Sequence, residues 1–356
     1  MKNICIFTNT LFSGGAEKQA VLLAKALNPK YQVWLVVYYG EQVEQKFLDI
    51  IEENNIVVVY LRGTHLMKIS SFYRFLKREK ILVIFSYLLT TNFIGGIVGK
   101  IAGVKYFYPG IRNAELPKKK EKIQKFIQNS LSTKTIYNNY RGFEELEKNG
   151  FNKQKGIVIP NCFINNIKPI VRSKNDVVRI LSLGRFVEQK DWFTALNAIK
   201  RFRALNKNFK YYIVGYGELE AKIRKWIKAN NVNDYIEIII NPKDLNEYYR
   251  NADIYLQTSL YEGLSNTVLE AMSFSLPLVL TDAGDNDRLV YDGENGFLCN
   301  VGDVNQISKK LGILINSFKK RIEFGNNSYQ KLIDNYSYGK FQRNYIKLIH
   351  DLKEEK

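Results

Sequence analysis

Histidine and cysteine are scarce in this chain of 356 residues, which has two of the first and three of the second. Cys5, Cys162 and Cys299 are odd in number and far apart, with the spacing of neither a disulfide framework nor a set of zinc ligands. This argues against a stapled secreted scaffold and for a reducing cytoplasm. His65 and His350 are too scattered to share a metal, and neither is placed as a general base: one falls in a polar loop, the other in a terminal amphipathic stretch. The GxGxxG fingerprint is missing, which disfavours a nicotinamide enzyme. The uncharged stretch 81–99 is long enough to raise a membrane span, but it contains Ser86, Tyr87, Thr90, Thr91, Asn92, Gly95 and Gly96. It reads as a buried strand over 81–85, a loop, and a buried helix over 92–102. The apolar run 4–7 is too short for a signal-peptide core, so no leader is expected. No solenoid-period repeat or low-complexity tract is found.

What the chain does contain is a globular composition, 46% hydrophobic and 25% charged, long enough for two domains. Its net charge of +18 is uneven. Up to Lys168 there are 25 Lys and Arg against 12 Asp and Glu, and in the remainder 28 against 23. The densest basic run is Lys118, Lys119, Lys120, Lys122 and Lys125. Such a patch suits an anionic membrane surface, a nucleic acid or an anionic glycan, and equally a solvated lysine face.

Short β-branched or aromatic runs alternate with helical stretches. Strands are expected at 4–7, 33–37, 57–60, 81–85, 105–108, 135–137 and 157–159, with helices at 16–27, 43–54, 68–79 and 144–149 between them. The pattern breaks after Pro160-Asn161 and restarts with strands at 178–183, 211–214, 236–240, 254–257, 278–280 and 297–299. Alternation of this kind predicts an α/β fold of two Rossmann-like, doubly wound domains facing a ligand-binding cleft. The boundaries are set at 1–168 and 169–338, leaving a terminal amphipathic helix over 341–352 that could pack on either domain.

The most informative stretch is Tyr261-Glu262-Gly263-Leu264-Ser265-Asn266-Thr267-Val268-Leu269-Glu270. Glu262 falls in a loop after the strand 254–257. Glu270 falls in the first turn of a helix over 267–274, stopped by Pro277. Between them the amides of Leu264 to Val268 form a helix N-terminus that attracts phosphate. Carboxylates beside such a site suit hydroxyls, as on a ribose or a sugar ring. The ligand implied has phosphates in its middle and diols at both ends, a sugar nucleotide. An ordinary helix start with solvent-facing acids fits the same spacing.

Other loops fit this reading. Gly14 and Gly15 follow the first strand, where backbone can approach a ligand before a helix N-terminus. Gly184-Arg185 and Lys190 follow the first strand of the second half, and these two cations could converge on a diphosphate. Gly215-Tyr216-Gly217 ends the next strand. Asp285-Asn286-Asp287 could hold a divalent metal. Fixed cations already answer the same charge, so a loop or helix cap is the expectation and no metal is assigned.

Taken in order, these segments resemble the retaining glycosyltransferases of family 4, with the GT-B fold. The resemblance rests on Gly14-Gly15-Ala16-Glu17, Ile159-Pro160-Asn161, Gly184-Arg185 with Lys190, Ala252-Asp253, the Glu-x7-Glu element from Glu262 to Glu270, and Asp292-Gly293-Glu294-Asn295-Gly296-Phe297. It implies a metal-independent enzyme without cofactor that moves a hexose-type sugar from a nucleotide diphosphate, UDP by preference. The acceptor would be a glycan or a lipid-linked saccharide in bacterial surface polysaccharide synthesis, lipopolysaccharide and capsule included. Arg185 and Lys190 would neutralise the departing diphosphate, Glu262 would hold the donor sugar and Glu270 the ribose. Gly14, Gly15, Gly263, Leu264, Ser265, Asn266 and Thr267 would line the donor, and the terminal helix (339–356) would cross back to the first domain. An enzyme docked on the inner membrane face through the lysine run would follow.

Two departures stand out. The His that many relatives carry after the fourth strand is replaced by Phe85-Ser86-Tyr87, and Pro109 to Glu115 looks like the Arg-Asn element of relatives lacking it. Arg112 and Glu115 are therefore candidate cleft residues. Asn241-Pro242 stands where relatives often have Gly, which bears on base contacts. Two alternatives stay open: a sugar-nucleotide epimerase of the same fold, disfavoured by the lack of histidine, and a basic nucleic-acid-binding protein, disfavoured by Glu262 and Glu270.

Overall fold

Runs such as Ile4-Cys5-Ile6-Phe7 are apolar at every position, so a strand made of them must be covered on both faces, as in a parallel sheet flanked by helices. The computed structural model has this form. It describes residues 2–12, 14–40, 43–112, 117–163, 168–203 and 208–353. The chain divides into two compact units, one of Met1–Cys162 with Tyr338–Lys356, the other of Phe163–Ser337. The division thus falls at Cys162, ahead of the Lys168 boundary expected from sequence. The reason lies in the edge contacts of the second unit: Phe163 already donates its N–H to the Tyr336 carbonyl (3.0 Å) and bridges to Ser337.

The first unit holds β1 (Asn3–Thr8), β2 (Gln32–Val37), β3 (Val57–Tyr60), β4 (Val83–Tyr87), β5 (Tyr106–Ile111), β6 (Thr135–Tyr137) and β7 (Gly156–Val158). Their order across the sheet is β3-β2-β1-β4-β5-β6-β7, and every pairing is parallel. In β1, Ile4, Cys5, Ile6 and Phe7 are fully buried, as their pattern requires. The uncharged stretch becomes β4 and the helix Leu89–Ala102, and among the described residues no helix is long and apolar enough to cross a membrane. The terminal helix Tyr338–His350 belongs to this unit. Tyr345 packs edge-on against Phe85, Gln342 donates to the Ala26 carbonyl, and Lys2 donates to the Ile349 carbonyl.

The second unit holds β8 (Val178–Arg185), β9 (Phe209–Tyr216), β10 (Ile236–Ile240), β11 (Ile254–Gln257), β12 (Leu278–Thr281) and β13 (Gly296–Cys299). Its order is β10-β9-β8-β11-β12-β13, again all parallel. Apolar clusters cover both faces of this sheet, one around Phe202, Phe209 and Ile307, the other around Tyr249, Tyr255 and Met272. In each unit the strand order reverses beside the first strand, between β1 and β4 and between β8 and β11. That reversal opens a crevice at the carboxyl ends of the strands, where ligands of doubly wound sheets bind.

Candidate functional site

The second unit has a cavity of about 430 Å³ at this reversal. Its wall is built from strand ends: Leu183, Gly184 and Arg185 from β8, Gly215 and Tyr216 from β9, Asn241 and Pro242 after β10. The short turn after β8 adds Gln189 and Lys190, and the segment before and into the helix Asn266–Ser273 adds Glu262, Leu264, Ser265, Asn266 and Thr267. Strands β8 and β9 stay in register through Arg185 opposite Tyr216, and this close pairing needs glycine at 215, where a Cβ would run into the Gly184 carbonyl. The geometry brings cations, a carboxylate and a helix N-terminus to one cavity.

Inside that cavity Lys190 and Glu262 are an ion pair, both largely buried, with side-chain exposures of 15% and 9%. Glu262 also accepts from the Ser259 hydroxyl at 2.7 Å. One of the three Lys190 N–H groups is thereby engaged with Glu262, and two are left for a ligand. The turn carrying Lys190 is stitched to the loop carrying Glu262: Thr258 Oγ1 donates to the Asp191 carbonyl (2.9 Å), Leu260 N–H to the Gln189 carbonyl (2.9 Å), and Gln189 Nε2 to the Tyr261 carbonyl (2.9 Å). Arg185 presents an exposed guanidinium at the cavity mouth, while its carbonyl accepts from Trp192 Nε1 at 3.0 Å.

The helix Asn266–Ser273 starts behind Ser265, and a buried amide network fixes that start. Gln257 Nε2 donates to Ser265 Oγ (3.0 Å) and Thr267 Oγ1 (3.3 Å), and Asn286 Nδ2 donates to Gln257 Oε1 (3.3 Å) and the Thr281 carbonyl (2.9 Å). Gln257 and Asn286 are parts of the site that sequence reading missed. Their signal was faint: a Gln ending an otherwise apolar strand, and an Asn between two aspartates. Asp285-Asn286-Asp287 accordingly serves as loop and helix start, with Asn286–Leu289 helical and Asp285 buried. Among the described residues, no group of three His, Cys, Asp or Glu side chains is placed to hold a metal.

Glu270 needs correcting in one respect. It lies in the second turn of its helix, because the helix begins at Asn266 and not at 267. It stands outside the cavity wall, half-buried, and its carboxylate accepts from the Tyr249 hydroxyl at 3.1 Å. Burial drives the Tyr249 phenol well above its usual pKa, and the Glu270 charge pushes the same way, so Tyr249 stays a donor. Gly263 is also outside the wall, where its carbonyl accepts from Asp285 N–H (3.2 Å).

Gly14 and Gly15 belong to the first unit, Gly14 at φ 139° just before the helix Gly15–Leu27. A Cβ on Gly14 would strike the Glu17 carboxylate, which Thr10 Oγ1 holds at 3.3 Å. Ser13 of the same loop lies outside the described residues. Arg112 stacks over the Tyr87 ring at 4.4 Å and donates to Asn161 Oδ1 at 2.9 Å. Glu115 lies outside the described residues. His65 opens the helix His65–Arg78, in place of the expected loop, with Nδ1 2.8 Å from the Tyr38 hydroxyl. The lysine run divides: Lys118, Lys119 and Lys122 are exposed on the helix Lys118–Phe126, Lys125 donates to the Asn149 carbonyl (2.8 Å), and Lys120 lines a cavity of its own unit.

Residues 163–331 match the family model described as glycosyl transferases group 1. Over its full length the chain is 26% identical to the GalNAc-α-(1→4)-GalNAc-α-(1→3)-diNAcBac-PP-undecaprenol α-1,4-N-acetyl-D-galactosaminyltransferase of Campylobacter jejuni, with 99% of both chains covered. A stretch covering 44% of each chain is 28% identical to the amylovoran biosynthesis glycosyltransferase AmsD of Erwinia amylovora. Among solved structures, Anabaena Alr3699/HepE in complex with UDP superposes with a TM-score of 0.87 over 99% of this chain and 100% of that one. At 15% identity that likeness is one of fold, the two Rossmann-like domains of GT-B.

Proposed function

The chain is a glycosyltransferase whose residues 163–331 match group 1, and from that premise we propose that its second unit takes the nucleotide diphosphate of a sugar donor, UDP by preference. One observation carries the proposal: Arg185, Lys190, Glu262 and the start of the helix Asn266–Ser273 line a single cavity at the strand reversal. A diphosphate needs positive potential, which the Arg fork, the Lys point charge and the helix N-terminus provide. A sugar hydroxyl needs an acceptor, and Glu262 is held for that role by Lys190 and Ser259. Tyr216, Asn241 and Pro242 then sit where the base would lie.

The reaction in this reading transfers a hexose-type sugar with retention. As the glycosidic bond breaks, negative charge grows on the departing diphosphate, and preorganised donors lower the barrier by answering it. Arg185 and Lys190 fill that role, so a divalent metal is not required. The leaving phosphate oxygen takes the acceptor proton on the same face of the sugar, and no protein nucleophile is assigned. The acceptor is proposed as a glycan or lipid-linked saccharide of bacterial surface polysaccharide synthesis. Supporting this are the PP-undecaprenol saccharide named for the Campylobacter relative and the amylovoran biosynthesis named for the Erwinia one. On the helix Lys118–Phe126, Ile123 and Phe126 are exposed beside Lys118, Lys119 and Lys122, a combination that suits an anionic membrane face.

Thermal-shift titration with UDP-, GDP- and ADP-sugars tests the donor assignment, since a ligand of the folded state raises Tm. UDP-sugars are expected to raise Tm in the wild type and to lose most of that effect in Arg185→Ala. No shift with any nucleotide sugar would defeat the reading, and epimer formation without acceptor would favour an epimerase instead.

A further inference from the structure

The first unit has its own cavity, about 290 Å³, at the β1/β4 reversal that corresponds to the cavity of the second unit. Asn9, Leu88, Asn92, Arg112, Lys120 and Gln124 line it. Its floor is a clamp of amides: Asn92 Oδ1 accepts from Ser86 Oγ (2.7 Å) and Gly110 N–H (3.4 Å), while Asn92 Nδ2 donates to the Gly110 carbonyl (2.9 Å) and Gln124 Oε1 (3.2 Å). That clamp fixes Gln124 with its Nε2 unpartnered, although the residue is only 3% exposed. Arg112 Nε is likewise buried and unpartnered, and so is one acceptor of the same lining, Asn9 Oδ1, which suits a ligand hydroxyl. Buried donors are almost always satisfied, so two in one wall point to a missing acceptor. Lys120 adds a second cation, and the cavity abuts the start of the helix Leu89–Ala102 through Leu89 and Thr90. Leu88, the residue before that helix, is held at φ 74°, a conformation costly for leucine, and such strain gathers at ligand sites.

We propose that this cavity is an oxyanion subsite that takes a carboxylate or phosphate borne by one sugar of the acceptor. The inference rests on the glycosyltransferase reading for the word acceptor, and on the first unit alone for the site. Two cations, Arg112 with its unpaired Nε among them, the unpaired Gln124 amide and a helix N-terminus converge where neutral hydroxyls would satisfy only part of the set. The cavity has room for about one pyranose ring, so a uronic acid or a sugar phosphate matches it in both size and charge. The opposing charge is Glu17, whose carboxyl interacts with Arg112 from outside the cavity lining.

Calorimetric titration of the full chain under saturating UDP tests the site with three probes: methyl α-glucuronide, glucose 6-phosphate and neutral methyl α-glucoside. One or both anionic probes are expected to bind at least tenfold tighter than the neutral one, and which of them binds identifies the oxyanion. Lys120→Gln, at an exposed position, is expected to weaken that binding about tenfold without changing Tm. Arg112→Gln should do the same, with some loss of stability from its Asn161 contact. Arg185→Ala should lose UDP affinity yet keep the anionic probe, which separates this site from the donor site. Equal binding of all three probes, no binding of any, or indifference to Lys120→Gln would overturn the subsite.

Discussion

The two units are variations on one topology, and their cavities occupy the same place in it, yet they differ in how charge is held there. In the second unit a largely buried lysine is matched by a buried carboxylate, Lys190 with Glu262, and loop-to-loop hydrogen bonds fix both partners. In the first, uncharged amides make the floor, and among the described residues the cations Arg112 and Lys120 form no ion pair with a carboxylate. A matched pair can present an acceptor and a donor to one ligand, as a sugar diphosphate demands. A set of cations and donors without a carboxylate favours an anion over a neutral ligand. Fold therefore sets where the cavity lies in each unit, and side-chain pairing sets the charge it presents.

The sharpest way to break this contrast is to separate charge from packing in the second unit. Arg185→Ala is expected to lower turnover by roughly 10²–10³ with Tm almost unchanged, because its head group is exposed. Lys190→Ala should lower turnover similarly and also cost about 3–5 kcal/mol of stability, since it strands the buried Glu262. Adding Glu262→Gln to Lys190→Ala should restore much of the stability and none of the turnover. Denaturant melts alongside rate assays read both quantities, and a Lys190→Ala protein as stable as wild type would mean that the pair is not a structural unit.

A neighbouring lysine shows what an unmatched buried cation costs. Lys331 is 8% exposed with Nζ unpartnered, over the Tyr291 ring, and burial lowers its pKa from 10.5 to about 8. Below about pH 8 the folded protein must carry this buried charge, and the penalty is complete there. As pH rises from about 8 towards 10.5 only the unfolded chain stays protonated, so stability rises and the penalty is lost. Lys331→Met should stabilise the protein by about 3 kcal/mol at pH 7, shrinking to nothing near pH 10.5 in a melt series. A gain independent of pH would point to packing alone.

Smaller effects refine the picture on each side. Asn92→Ala should cost roughly 1–3 kcal/mol by leaving the Gly110 and Gln124 groups unpaired in the first unit, measured by chemical denaturation. Tyr249→Phe removes the donor to Glu270 and should cost about 1 kcal/mol. If it instead abolishes nucleotide binding while stability holds, Glu270 acts on the ligand through Tyr249.

Much of this was legible in the chain. Short β-branched or aromatic runs marked every strand, because a strand covered on both faces needs no strict polar alternation; 236–240 and 254–257 match β10 and β11 to the residue. Strand-end motifs located Arg185, Lys190 and Glu262, because the carboxyl end of a parallel strand is where a loop must begin. What stayed hidden was pairing across long separations. Lys190 and Glu262 are 72 residues apart, and no local pattern reports that they touch. The same holds for Asn92 with Gln124, for Gln257 with Asn286, and for Tyr249 drawing Glu270 aside.

Sequence by itself thus determined the two parallel sheets, their crevices and the residue types that reach them, because periodicity and turn chemistry act within a few neighbouring positions. Tertiary structure alone decided which charges are matched, which donors lack an acceptor, and that the terminal helix belongs with the first unit. Those outcomes depend on side chains brought together by sheet order, and the free energy of a buried charge is set by what stands next to it in space.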